Sequence, residues 1–176
     1  MFRNLIYSVV FCFLHISVFS QEQNYYSKVE SLDSIINAYY EQMSGEKGEM
    51  RNWELFRFLF KSEAKIIPVK SSNDSTVSTY FVTQEEWIDK VGDIRIKTNF
   101  EKEISRQTER FGCIAHVLST YAIYSHKGYK NLQARGIHSI QLVYEKERWW
   151  IVSILYMRET SANPIPEKYL QNKNSN

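Results

Sequence analysis

The sequence predicts an α+β fold, with helices in its first half packed on one sheet built from its second half. Two observations predict it. From Val29 to Met43 the apolar residues recur at spacings of three and four, the mark of one buried helix face. From Ile94 onward the period changes to two, the mark of strands. The 176 residues, 43% apolar and 15% aromatic, suffice for one domain with a sizeable core.

Val29, Leu32, Ile35, Ile36, Tyr39, Tyr40 and Met43 form the apolar stripe of a first helix. The glycines of SGEKGE end it. Asn52 caps a second helix, WELFRFLF, with Trp53, Phe56, Leu59 and Phe60 on one side. AKIIPV reads as a short strand, which Pro68 places at an edge or a strand end. SSNDS is a turn and TVSTYFV a second short strand. Thr83 caps a third helix, QEEWIDKV, whose first-turn acids suit the helix dipole. Four long strands follow, about 95–109, 113–125, 133–145 and 148–158. Their turns fall at Phe111-Gly112, at HKGYKNLQ and at Lys146-Glu147, and consecutive hairpins of this kind make an antiparallel meander.

The ends are read separately. Arg3 followed by the apolar run Leu5 to Phe19 predicts a signal peptide over 1–20, cleaved near Ser20/Gln21. The expected product is exported, periplasmic or extracellular, with no membrane span in the mature chain. A flexible leader is expected over 21–28, the domain over 29–160 and a flexible tail over 161–176. Cleavage would leave Cys113 as the one cysteine, read as a small buried hydrophobe with no disulfide. With 22 basic and 20 acidic residues the net charge is +2, which gives no field for nucleic acid.

Parity sorts the strand residues into two faces. The odd set holds Glu101, Glu103, Ser119, Tyr121, Arg135, Ser139, Gln141, Trp149, Ile151 and Ser153. The even set holds His116, Leu118, His138, Ile140, Leu142, Trp150, Val152 and Ile154. Both are largely apolar in the last strands, so both faces need cover. Helices cover one. For the other the expectation is a homodimer through Leu118, Ile140, Leu142, Trp150, Val152 and Ile154.

Two stretches, FGCIAHVLSTY (Phe111–Tyr121) and ERWWIVSI (Glu147–Ile154), carry a resemblance to the nuclear transport factor 2-like (NTF2-like) superfamily, near its SnoaL-like branch. In that family a Gly turn leads into a strand with a small inward residue, and the last strand opens with an inward Trp followed two later by an inward aliphatic. The resemblance spans roughly 29–158. It implies a cone-shaped fold, three N-terminal helices on a curved, mainly antiparallel sheet around a pocket. It also implies that Trp149 and Ile151 point inward, which makes the odd set the pocket face.

On that reading Ser139, Gln141 and Ser153 form a polar row on the inner face, extended by Ser119 and Glu103. Buried polar groups without partners cost about 1–3 kcal/mol each, so the row is satisfied internally, by water or by a ligand. The candidate ligand-binding residues are Glu103, Ser119, Tyr121, Arg135, Ser139, Gln141, Ser153 and Tyr39, and the expected partner is an unknown small molecule. Glu103 and Arg135 either pair with each other or hold a polar ligand group. No residue is assigned a catalytic role. Ketosteroid isomerases, relatives in that superfamily, carry an acid on the strand after the second helix. Here Ile67 and Pro68 stand in its place, with Glu63 just before the strand. No metal spacing, cofactor fingerprint or nucleophile motif is present, so no metal or cofactor is expected. Two functions remain: binding of a small, partly apolar ligand, or isomerase, dehydratase or cyclase chemistry with Glu103 or a His as base. A cavity holding a carboxylate with a strongly raised pKa would favour the second. Pure scaffolding through the sheet face is a third.

Overall fold

A computed structural model describes residues 25–71 and 76–171. The expected signal segment 1–20 and leader residues 21–24 lie outside them. In chain order come helices α1 (Leu32–Met43) and α2 (Trp53–Leu59), strands β1 (Phe60–Ser71) and β2 (Val77–Thr79), helix α3 (Gln84–Val91), and strands β3 (Phe100–Phe111), β4 (Ile114–His126), β5 (Lys130–Glu145) and β6 (Arg148–Arg158). The strands form one sheet in the order β2-β1-β6-β5-β4-β3. Neighbours are antiparallel except β1 and β6, which are parallel, so the sheet is mixed.

The helices begin where their caps dictate. Ser31 and Ser34 form a reciprocal capping box on α1, Thr83 and Glu86 do the same on α3, and Asn52 accepts from the Leu55 N–H at 2.9 Å. Because Ser31 caps α1, Val29 falls outside the helix. It is buried all the same, and its carbonyl accepts the Trp149 N–H at 2.8 Å. The carbonyls at the far end of α1 are also satisfied. The buried Arg95 guanidinium donates to Gln42 O at 2.8 Å, Asn99 Nδ2 to Met43 O at 3.1 Å, and Ser44 Oγ to Tyr40 O at 2.8 Å. The Glu101 N–H donates to Ser44 Oγ at 2.9 Å, which ties the start of β3 to the end of α1. Residues 94–99, expected in a strand, instead pair with the α1–α2 loop: Arg95 N donates to Glu49 O and Asn99 N to Gly45 O, both at 3.0 Å.

Ile35, Ile36, Phe56 and Leu59 from the helices meet Val117, Ile140, Ile151 and Ile154 from the sheet in one core. Each fully buried side chain of this kind is worth roughly 1.5–3 kcal/mol. β1 is an interior strand and not the edge expected. Pro68 pairs with Tyr156 of β6 on one side and is tolerated because on the other it falls between the Ile66–Val82 bridge and the β2 ladder that begins at Val69. Cys113, expected to be buried, is exposed at the second place of the tight Gly112-Cys113 turn.

The tail, expected to be loose, crosses the face of the sheet away from the helices. Ser105 Oγ donates to Gln171 O at 3.0 Å, Gln107 Nε2 to Lys168 O at 2.9 Å and Thr120 Oγ1 to Tyr169 O at 2.6 Å. Leader residues 25–28 are tied down as well: the Tyr26 hydroxyl donates to Glu147 O and Lys28 pairs with Glu41.

Candidate functional site

Cross-strand register decides which side chains share the inner face. Two ladder irregularities shape it. Glu103 opposes Tyr121 and Ser105 opposes Thr120, which leaves Ile104 extra in β3. Leu142 opposes Ile151 and Gln141 opposes Ser153, which leaves Val152 extra in β6. An extra residue inverts parity beyond it. In β3 this puts Glu103 and Arg106 on one face. In β6 it turns Ile154, Tyr156 and Arg158 inward behind Trp149 and Ile151. The inner face then carries two polar rows, Arg106–Ser119–His138–Tyr156 and Glu103–Tyr121–Gly136–Arg158, with Glu101 at their end.

The centre of the site is Glu101 and His138. His138 Nε2 stands 3.7 Å from Glu101 Oε1, and the two side chains are 4% and 9% exposed. Aromatic rings enclose the imidazole. Tyr121 stacks on it with centroids 4.3 Å apart, while Tyr39 at 5.4 Å and Tyr156 at 5.5 Å meet it edge-on. The Tyr121 ring lies flat because Gly136 is beneath it; a Cβ there would collide with the tyrosine ring and with Met157 O. Burial sets the protonation states. It lowers the His138 pKa to about 3, so the imidazole is uncharged at neutral pH. It raises the Glu101 carboxyl to about 7, against the opposing pull of Arg158. Tyr39 and Tyr40 are pushed well above the usual phenol value by the same burial. The Glu101–His138 contact is therefore not an ion pair but a carboxyl whose proton affinity burial raises, beside a neutral imidazole.

A cavity of about 250 Å³ opens from this pair. Trp87, Val91, Ile96 and Ile123 give it an apolar wall, and Arg51, Lys97 and Arg158 also line it. The Arg51 Nε is buried without a hydrogen-bond partner, and burial lowers its pKa. On the other side of His138 a continuous polar chain runs to the surface. Tyr40 Oη lies 3.2 Å from His138 Nδ1 and 2.6 Å from Ser119 Oγ. Ser119 Oγ donates to Glu103, which Arg106 holds by Nε at 2.9 Å and Nη2 at 2.6 Å, and Arg106 also pairs with Asp33. Among the described residues no group of three or more His, Cys, Asp or Glu is placed to hold a metal.

The structure brings together half of the residues singled out from the sequence. Tyr39, Glu103, Ser119 and Tyr121 share the helix-covered face, and Trp149 points inward as expected, 3% exposed, with Trp150 half-buried on the other side. Arg135, Ser139, Gln141 and Ser153 do not join them. The last three are neighbours on adjacent strands, but on the outer face, because β5 pairs with β4 one position away from the expected register and Ser153 lies beyond the bulge. Ser139 binds His116 Nε2 at 2.9 Å there, and Arg135 pairs with Glu159 at 2.8 Å instead of with Glu103. The same offset corrects the expected dimer face. Ile140, Leu142 and Ile154 are core residues, and only Leu118, Trp150 and Val152 face outward. His138, assigned to the outer face, is the residue sequence reasoning missed. Glu101 was on the right face but not singled out. The available signal was two carboxylates alternating on an inward strand face, where such groups seldom stand without a role.

No family model matches the sequence, and no curated protein matches it. Solved structures do. A candidate calcium/calmodulin-dependent protein kinase II association domain from Xanthomonas campestris aligns at TM-score 0.52 and 10% identity, over 74% of this chain and 86% of that one. A candidate ketosteroid isomerase from Parabacteroides distasonis aligns at 0.50 and 11%, over 73% and 88%. An NTF2-like protein of unknown function from Shewanella baltica aligns at 0.48 and 15%, over 81% and 98%. The chain has the NTF2-like fold, on a framework of three helices and a six-stranded mixed sheet among the described residues.

Proposed function

We propose that the protein binds a small, partly apolar molecule bearing an anionic group in the cavity floored by Glu101 and His138. One observation carries this reading: Arg51, Lys97 and Arg158 line a cavity whose one lining carboxyl is Glu101, which burial pushes toward its protonated form. Positive charge therefore exceeds negative charge around an apolar wall. The unpartnered Arg51 Nε is a donor that an anionic ligand would satisfy. At about 250 Å³ the cavity is below the roughly 300–1,000 Å³ of drug-sized sites, which suits a compact metabolite.

Proton transfer on the bound molecule is the second reading, and the state of Glu101 favours it. Binding ranks above catalysis in the sequence because Ile67 and Pro68 stand where an acid is expected on the strand after the second helix. Glu101 supplies one from β3, with a pKa near the pH at which a general base works best. Export follows from the apolar run Leu5 to Phe19. A homodimer would use the open part of the outer face, where Val152 and Leu155 are 40% and 41% exposed.

Native mass spectrometry of the purified protein tests these points together. The expected result is a small anionic adduct that Val91→Trp, which fills the cavity from its apolar wall, abolishes without unfolding the chain. An adduct retained in that variant would place binding elsewhere. The intact mass reads the dimer, and the N-terminal mass reads cleavage near Ser20/Gln21.

A further inference from the structure

The polar chain behind His138 has a direction, and the direction has a chemical consequence. Arg106 donates to both oxygens of the Glu103 side chain, by Nε at 2.9 Å and Nη2 at 2.6 Å, so those oxygens act as acceptors. Ser119 Oγ must then donate to Glu103. With its one proton used, Ser119 accepts from Tyr40 Oη at 2.6 Å. Tyr40 in turn has only lone pairs to offer His138 Nδ1 at 3.2 Å, so Nδ1 carries the proton. His138 is uncharged, and its Nε2 therefore presents a lone pair to Glu101. A protonated Glu101 fits that lone pair and an ionised one does not. The 3.7 Å separation is outside hydrogen-bond length, so a proton passes only when the two side chains approach each other.

We propose that His138, Tyr40 and Ser119 form a proton relay between the carboxyl groups of Glu101 and Glu103, so that a proton leaving the cavity side reappears on the carboxylate held by Arg106. The step balances. Glu101 gives its proton to His138 Nε2, Nδ1 gives its proton to Tyr40 Oη, Tyr40 gives its own to Ser119 Oγ, and Ser119 gives its own to Glu103. Each O–H or N–H bond that breaks is matched by one that forms, the three relay residues end neutral, and no electrons change hands. Glu103 and Glu101 both line a second hollow of about 390 Å³, with Tyr40, Glu41, Ser44 and Lys102. The charged and titratable groups facing the relay are Asp33, Tyr39 and Glu41 from α1, Tyr121 from β4, Tyr156 and Arg158 from β6, and Arg106 and Lys102 from β3. No other carboxylate lies within ion-pair distance of His138 among the described residues. The relay deepens the ligand-pocket reading and rests on it only for the use made of the proton.

Nitrogen-15 NMR of histidine-labelled protein tests the relay without any ligand, so a failed relay and a failed pocket are told apart. The relay requires His138 to be the neutral Nδ1–H tautomer in the wild type. Tyr40→Phe and Ser119→Ala each break the chain, and each switches His138 to Nε2–H, which then donates to an ionised Glu101. The Glu101 carboxyl should follow with at least a tenfold fall in proton affinity, and Ser119→Thr, which keeps the hydroxyl, should restore the wild-type tautomer. An Nε2–H tautomer in the wild type, or one unmoved by either substitution, overturns the proposal. The wild-type spectrum decides even if a variant does not fold.

Discussion

Glu101 and His138 titrate in opposite senses on folding, and both senses follow from burial. The folded chain keeps the Glu101 proton up to about pH 7, against about 4.5 for an unburied carboxyl. Because the folded pKa is the higher one, the contribution is full below about 4.5 and is lost as pH rises through 7. The gap is worth about 3 kcal/mol. His138 behaves in reverse. Its folded value, about 3, is the lower one, so its contribution is present above about 6.5 and is lost as pH falls toward 3. The two oppose each other between about 4.5 and 6.5. Glu101→Gln removes the first contribution alone. Urea unfolding should show the variant gaining about 2–3 kcal/mol on the wild type between pH 5 and pH 8. A difference that does not change with pH would mean Glu101 is solvated. At this scale the sequence was half legible. Tyr39, Glu103, Ser119 and Tyr121 were found because helix spacing and β3–β4 parity are local properties. His138 was not, because its face depends on how β5 pairs with β4. That pairing follows from the turn around Tyr129 and Asn131, both at positive φ, and from the irregularity between Ile123 and Tyr124.

The elements themselves were largely written in the chain. Capping residues Asn52 and Thr83 start their helices as expected, and β6 spans the 148–158 expected for it. The bulges were not legible, since Ile104 and Val152 are ordinary strand residues and only the partner strand reveals that they are extra. The β5–β6 turn shows a local rule broken. Lys146 at φ 54° and Glu147 at φ 62° both adopt the left-handed conformation of a tight hairpin, one that Asn and Gly adopt at least cost. Lys146→Asn with Glu147→Gly should therefore raise stability by about 1 kcal/mol in thermal or urea unfolding, with the site unaffected. A loss of stability would show that the two side chains contribute more than their backbone strain costs.

For the whole molecule the expectation of an α+β NTF2-like fold held, while the two-sided burial problem is solved differently from the reading by parity. The core draws on both parities, because register and bulges mix them, and this removes Ile140, Leu142 and Ile154 from the outer face. The C-terminal segment through Gln171 covers part of what remains, along β3 and β4. On its helix-covered side the fold gathers the carboxyls of Glu101 and Glu103, the His138 imidazole and several phenols beside a cavity that Arg51, Lys97 and Arg158 also line. The carbon-13 titration of the Glu101 carboxyl, with and without benzoate as a compact aromatic anion, tests that account most directly. The account predicts an inflection near pH 7 in the free protein, moved upward by benzoate because a second negative charge beside Glu101 favours its protonated form. An inflection near the ordinary value of about 4.3, unmoved by benzoate, would contradict it.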